Sequence, residues 1–284
     1  MTTTNRIPMP PPRPPSGAGK TAPLEFPREP DDSIGERVLV YGPPGAGKTS
    51  LCCAAPGPVI TFDIEKSLTR QLRNKFSQEI RDNLYFHPVS NVKDLTWTEF
   101  IDNFADMDSL SEFKTIVVDS LSVAQRILFD HVAAKYGNGR NEGIESIPYG
   151  RGYAHAASLW NTQLLPLATK HTEAGRNIVF VAHSMSIKVA NPGGTDFLRA
   201  EPQLHKSDKP AANIQGAVFE WLNHCMYIEP DKAVGADGKA RGGDARCIYT
   251  GSRPWVLAKT RGSAPDTIIP DRENLAAVWE QLFA

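Results

Sequence analysis

No apolar run in this chain reaches the roughly 18 residues of a membrane-spanning helix, and the N-terminus carries no apolar leader. A membrane-embedded or exported protein is therefore not expected. Cysteine is scarce: Cys52, Cys53, Cys225 and Cys247 are the whole complement. Their spacing fits neither a zinc site nor a disulfide framework, so a reducing cytoplasm is the expected compartment. Charge of one sign is also missing, because 31 Lys and Arg face 32 Asp and Glu for a formal net charge of -1. Global charge gives no nucleic-acid footprint, and such a contact would need a local basic patch. What remains is an ordinary soluble composition over 284 residues, enough for one large domain or a domain with decorations.

The prolines are unevenly spread. Pro10-Pro11-Pro12-Arg13-Pro14-Pro15 cannot form a helix and favours an extended path, so residues 1–35 read as a flexible tail before a domain at 36–284. The tail is a spacer or a preformed ligand for an aromatic groove. Ser16-Gly17-Ala18-Gly19-Lys20-Thr21 imitates the end of a phosphate loop. It has Pro14 in place of the first glycine and no strand before it.

The complete motif is Gly42-Pro43-Pro44-Gly45-Ala46-Gly47-Lys48-Thr49, continued by Ser50 and preceded by the apolar run Val38-Leu39-Val40-Tyr41. Its glycines let backbone N–H groups converge on a phosphate. Lys48 would reach the β- and γ-phosphates and Thr49 would place its hydroxyl on Mg²⁺, which implies ATP and Mg²⁺ as cofactors.

Strands are expected at 37–41, 59–63, 84–87, 114–119 and 177–183. Helices are expected at 49–55, 66–81, 96–107, 122–136 and 153–173, the last bent around Pro166. This alternation predicts an α/β fold with a mostly parallel central sheet covered by helices. Residues 225–228, 246–250 and 255–259 read as strands of a C-terminal β-hairpin region. Ala233 to Asp244 forms a glycine-rich link, and 271–282 a closing helix.

Asp119 ends an apolar strand downstream of the loop, where a carboxylate reaches Mg²⁺ or its water shell. Ser120 would assist it or start the next helix. Glu65, after the second strand, is the candidate to orient a lytic water, with a surface position at a helix start as the alternative. Asp63 would support the loop or the metal's outer shell. His183 and Ser184 end the expected strand at 177–183 and could sense the γ-phosphate, or His183 could be a plain hydrogen-bonded strand end.

Together the phosphate loop, Phe62-Asp63-Ile64-Glu65, Ile116-Val117-Val118-Asp119-Ser120, Val181-Ala182-His183 and Ala258-Lys259-Thr260-Arg261 resemble the RecA-like P-loop ATPases. They resemble more closely the bacteriophage ATP-binding proteins related to single-strand-annealing proteins. The resemblance spans about residues 36–262. It implies a catalytic role for Glu65, a γ-phosphate sensor near His183, and a homo-oligomer, ring or filament, in which Lys259 and Arg261 enter a neighbour's phosphate site. A solvated basic hairpin end is the other reading of those two cations.

Regions Tyr136–Tyr153 and Ser186–Gln215 are expected as long loops that would contact single-stranded DNA. They offer Arg140, Tyr149, Arg151 and Tyr153 in the first, and Lys188, Arg199, Lys206 and Lys209 in the second. The function implied is a Mg-dependent ATPase that assembles on single-stranded DNA in phage recombination, annealing or replication, in the host cytoplasm beside recombination or replication proteins. A helicase loader or protein-directed motor, and a nucleotide-gated assembly scaffold, are the alternatives.

Overall fold

The computed structural model describes residues 33–88, 94–137, 142–234 and 240–284, with side chains at 232–244 left aside. The proline run, the imitation loop at 16–21 and Arg140 lie outside the described residues, as does the centre of the 233–244 link.

In chain order the elements are β1 Arg37–Gly42, α1 Lys48–Cys53, β2 Val59–Asp63, α2 Arg70–Arg73, α3 Gln78–Asp82, β3 Leu84–Phe86, α4 Trp97–Phe104, β4 Thr115–Asp119 and α5 Leu121–Tyr136. There follow α6 Arg151–Leu159, α7 Leu165–Glu173, β5 Asn177–Val189, β6 Phe197–Pro202, α8 Ile214–Trp221, β7 His224–Val234, β8 Ala240–Tyr249, β9 Thr267–Ile268 and α9 Ala276–Leu282. The sheet runs β3-β2-β4-β5-β1-β7-β8-β9, with β6 paired to β5. From β3 to β7 every neighbour is parallel, while β8, β9 and β6 join antiparallel.

The central strands are apolar without interruption because both faces are covered. Alternate side chains sort into two cores. Leu39, Tyr41, Phe62, Val118 and Phe180 point to one face, packed by Trp97, Leu128, Trp160 and Val218 of the α4–α8 side. Val38, Val40, Val117, Val179 and Val181 point to the other, packed by Leu51 of α1 and by Val278, Trp279 and Leu282 of α9. This is the expected α/β architecture, and it brings the carboxyl ends of β1, β2, β4 and β5 to one edge. Gly42 lies beside His183, and Asp63 beside Asp119. Ligands of open parallel sheets bind at that edge.

Five segments differ from expectation. The 66–81 helix is two short helices, because Thr69 and Ser77 each cap a new N-terminus by accepting the N–H of Leu72 and Ile80. The bend near Pro166 is a π turn at Trp160–Leu164, after which Pro166 sits in the first turn of α7, where its missing N–H costs nothing. The 186–215 region is not a long loop. β5 continues to Val189 and turns back as β6, in register from Ser184↔Pro202 to Val189↔Phe197. Residues 255–259 form no ladder and touch the sheet through single bridges, Ala200↔Val256 and Cys225↔Lys259. The closing helix is confined to Ala276–Leu282.

Candidate functional site

Gly42 closes β1 where a Cβ would lie 2.1 Å from the Ile228 carbonyl oxygen of β7, so no larger residue fits without moving that strand. The chain then turns through Gly47, whose φ of 102° lies in the left-handed region, and starts α1 at Lys48. Lys48 Nζ donates to the carbonyls of Gly42 and Pro43, each at 3.0 Å, and so curls over its own loop. Burial lowers its pKa, opposed by the negative charges of Asp119 and Glu65.

Next to it Thr49 Oγ1 donates to Asp119 Oδ2 at 2.7 Å. Asp119 is only 2 % exposed. Burial, with help from the charges of Glu65 and Asp63, pushes its pKa up to about 6 against the hydrogen bonds from Thr49 and Ser67. The Ser67 hydroxyl reaches Asp63 Oδ1 at 3.2 Å and Asp119 Oδ2 at 3.1 Å. Asp63 in turn accepts the backbone N–H groups of Ser67 and Leu68, each at 2.9 Å. Thr49, Ser67, Asp63 and Asp119 therefore form one oxygen-rich cluster beside the loop.

Glu65 stands across the β4 terminus. Its Oε1 accepts from the Ser120 hydroxyl and from His183 Nε2, the latter at 2.8 Å. His183 is tied in its turn. Its N–H donates to Ser122 Oγ at 3.1 Å and its carbonyl accepts from the Gln203 N–H at 2.8 Å. Ser122 Oγ also donates to the Gln203 carbonyl at 3.2 Å, so the two roots of the β5–β6 hairpin and the start of α5 close one ring around His183.

Of the candidate residues, the structure brings Lys48, Thr49, Asp119, Glu65 and His183 together. It does not bring Lys259 and Arg261 to them within one chain. Lys259 bridges Cys225, which lies opposite Leu39 in the body of β1, and Arg261 lies near Arg37 at its beginning. Lys259 Nζ donates to the Phe219 carbonyl and Arg261 Nη2 to the Glu220 carbonyl at 3.3 Å. Both cations thus satisfy carbonyls in the last turn of α8.

Two residues of the site escape a reading of the sequence. Ser67 carries no motif, and the Asp63 carboxylate that accepts its N–H lies four residues back. Arg246 comes from β8 and donates through Nε to the Ala46 carbonyl of the phosphate loop at 3.0 Å. Only the pairing of β7 with both β1 and β8 puts it there.

A family model described as an AAA domain matches residues 34–262. The chain belongs to the AAA domain family. It is accordingly a P-loop NTPase of RecA-like fold, and a nucleotide-binding and nucleotide-hydrolysing protein in general terms. Among solved structures, that of the flagellar accessory protein FlaH from Methanocaldococcus jannaschii is similar at 13% identity and a TM-score of 0.47, over 83% of this chain and 84% of that one. No curated protein matches this AAA-domain chain. Among its described residues no helix is long and apolar enough to cross a membrane.

Proposed function

We propose that this AAA-domain protein is a Mg²⁺-dependent ATPase whose nucleotide state gates assembly with, or action on, a protein partner. The observation that carries this reading is the bond from His183 to Glu65 at 2.8 Å, because His183 is also the root of the β5–β6 hairpin. A change at the γ-phosphate that moves Glu65 would be felt by the hairpin through one strand.

The donor set fits the cofactors. Hydroxyl and carboxylate oxygens of Thr49, Ser67, Asp63 and Asp119 are the hard ligands and outer partners that Mg²⁺ takes together with water and phosphate oxygens. Thr49 and Asp119 would hold the ion, and its chemistry there is to neutralise charge on the β- and γ-phosphates. Lys48 would exchange its two loop carbonyls for phosphate oxygens. Glu65 receives both of its donors on Oε1, which leaves Oε2 to take a proton from the attacking water. Lys259 and Arg261 act, on this reading, only across a subunit boundary of a ring or filament.

Assembly on single-stranded DNA, in recombination, annealing or replication, is the second reading. Tyr149 favours it, being 91 % exposed at a backbone φ of 60°, a ready stacking surface beside the exposed Arg151. The hairpin side weighs against it. Lys188 is paired with Asp196 at 2.9 Å, and Arg199 and Lys206 are both spent on Glu201, at 2.5 and 3.0 Å. Cations already neutralised release few counterions on meeting phosphates.

The test is ATP turnover with and without saturating single-stranded DNA, with oligomer mass read in the same samples. Turnover that follows assembly and ignores DNA supports the protein-directed reading. DNA-stimulated turnover with assembly overturns it in favour of the second.

A further inference from the structure

We propose that Lys66 is a positioning residue for hydrolysis and that it acts through its backbone. Held in the left-handed region, it turns the chain so that Glu65 and Ser67 both enter the site from one loop. This rests on the reading of Glu65 as the group that takes a proton from the attacking water.

Among the described residues other than glycine, two have positive φ: Lys66 at 57° and Tyr149 at 60°. Lys66 is exposed, yet it stands between two residues that reach the site. Left-handed backbone is costly for a residue that carries a Cβ, and glycine or asparagine fills such positions more readily. Strain of this kind persists only where the surroundings impose it, and it gathers at functional sites.

Here the surroundings impose it from both sides. Before the turn, the Glu65 N–H donates to the Asp119 carbonyl at 3.1 Å and the Lys66 N–H to the Asp63 carbonyl at 3.3 Å. After it, the N–H groups of Ser67 and Leu68 donate to Asp63 Oδ1 and Oδ2, each at 2.9 Å. Asp63 thus receives the chain twice, through its carbonyl at Lys66 and through its carboxylate beyond it. The φ of Lys66 is the joint on which that loop closes, and an extended residue there would carry Ser67 away from Asp63.

Two side chains depend on the closure. Glu65, ahead of the joint, reaches the Ser120 hydroxyl and His183 Nε2. Ser67, behind it, reaches Asp119 Oδ2 at 3.1 Å. The grip on the nucleotide does not pass through this turn, since Lys48 is held by the carbonyls of Gly42 and Pro43. Opening the joint should therefore slow the chemical step and spare ATP binding.

The experiment measures ATP affinity and single-turnover hydrolysis at saturating Mg²⁺ for the wild type, Lys66→Gly, Lys66→Asn and Lys66→Val, and for Lys66→Val in a Glu65→Gln background. Glycine and asparagine enter the left-handed region and remove the ammonium, so both variants should stay within about threefold of the wild type in affinity and rate. Valine is branched at Cβ and avoids that region. Its variant should keep ATP affinity within about threefold and lose about tenfold or more in the chemical step. In the Glu65→Gln background the same change should slow hydrolysis by no more than about twofold, because it acts through Glu65.

A Lys66→Val variant at the wild-type rate overturns the proposal. So does Lys66→Gly or Lys66→Asn as slow as Lys66→Val, which would give the role to the ammonium, and so does full additivity with Glu65→Gln. If Lys66→Val fails to fold, the other two variants decide: both within about threefold of the wild type support the proposal, and either one slower overturns it. The two failures are distinguishable. Glu65→Gln at the wild-type rate removes the reading of Glu65 and this proposal with it, whereas a slow Glu65→Gln beside a fast Lys66→Val removes only the role of Lys66.

Discussion

Replacing Asp119 with Asn should stabilise the protein in chelator while abolishing Mg²⁺-dependent turnover. The carboxyl titrates at about 6 in the fold against an ordinary 3.8, chiefly because it is buried. A raised carboxyl pKa means that the unfolded chain ionises first as pH rises. The associated stability is fully present below about pH 4 and is lost as pH climbs through 6. A shift of about two units at about 1.4 kcal/mol each amounts to about 3 kcal/mol of destabilisation at neutral pH. Asparagine removes the charge and keeps the key contacts, because Thr49 and Ser67 both donate to the same oxygen, Oδ2, which the amide carbonyl can replace. The expected gain at about pH 7.5 is about 1–3 kcal/mol, or roughly 2–10 °C in melting temperature. Thermal melts of both proteins in EDTA, at about pH 7.5 and about pH 4, provide the assay. The gap should close at the lower pH, where both side chains are neutral. An Asn variant that melts at or below the wild type at neutral pH, or a gap that does not shrink on acidification, refutes the reasoning. A gap that opens at neutral pH and closes on acidification makes the wild-type carboxylate a stability cost accepted for the cation it would hold.

Ser67→Ala removes the hydroxyl that bridges Asp63 and Asp119. The Mg²⁺ concentration for half-maximal turnover should rise about tenfold with little change in maximal rate, read from a Mg²⁺ titration. Lys259→Ala and Arg261→Ala should each cost about 0.5–1 kcal/mol in denaturant melts through the lost bonds to the Phe219 and Glu220 carbonyls. Mixing Arg261→Ala with Lys48→Ala should restore turnover if Arg261 also acts in a neighbour's site, and no recovery in verified mixed oligomers leaves it a helix cap. Glu201→Gln strips the fully buried carboxylate from between Arg199 and Lys206 and should destabilise the chain by about 3 kcal/mol in urea. A loss below about 0.5 kcal/mol would mean that the hairpin is not held by that triad.

The parallel core was legible because its physics is local. Uninterrupted apolar strands such as Ile116-Val117-Val118 report burial on both faces, and the glycines and Lys48 report the turn that a phosphate loop needs. The positions of Asp119 and Glu65 were legible for the same reason, since Asp119 ends and Glu65 closely follows a strand that could be read by itself. The β5–β6 hairpin was not. Lys188, Arg199 and Glu201 look like a mixed-charge loop until pairing shows that Glu201 points inward and gathers two cations. Lys259 and Arg261 were expected on a strand end, but residues 255–259 form no ladder, and the α8 carbonyls the two cations reach are some forty residues away in sequence. Arg246 is the extreme case, with 200 positions separating it from Ala46. Contacts that distant depend on strand order, which no local pattern encodes.

The most direct test of the account is single-turnover hydrolysis of Mg²⁺-ATP by the wild type and by Glu65→Gln, with nucleotide affinity measured on both. The account predicts affinities within a few-fold of each other and a chemical step slowed by about 10²–10⁴ in the variant. An unchanged hydrolysis rate at equal affinity would contradict it and take Glu65, and the relay through His183, out of the mechanism.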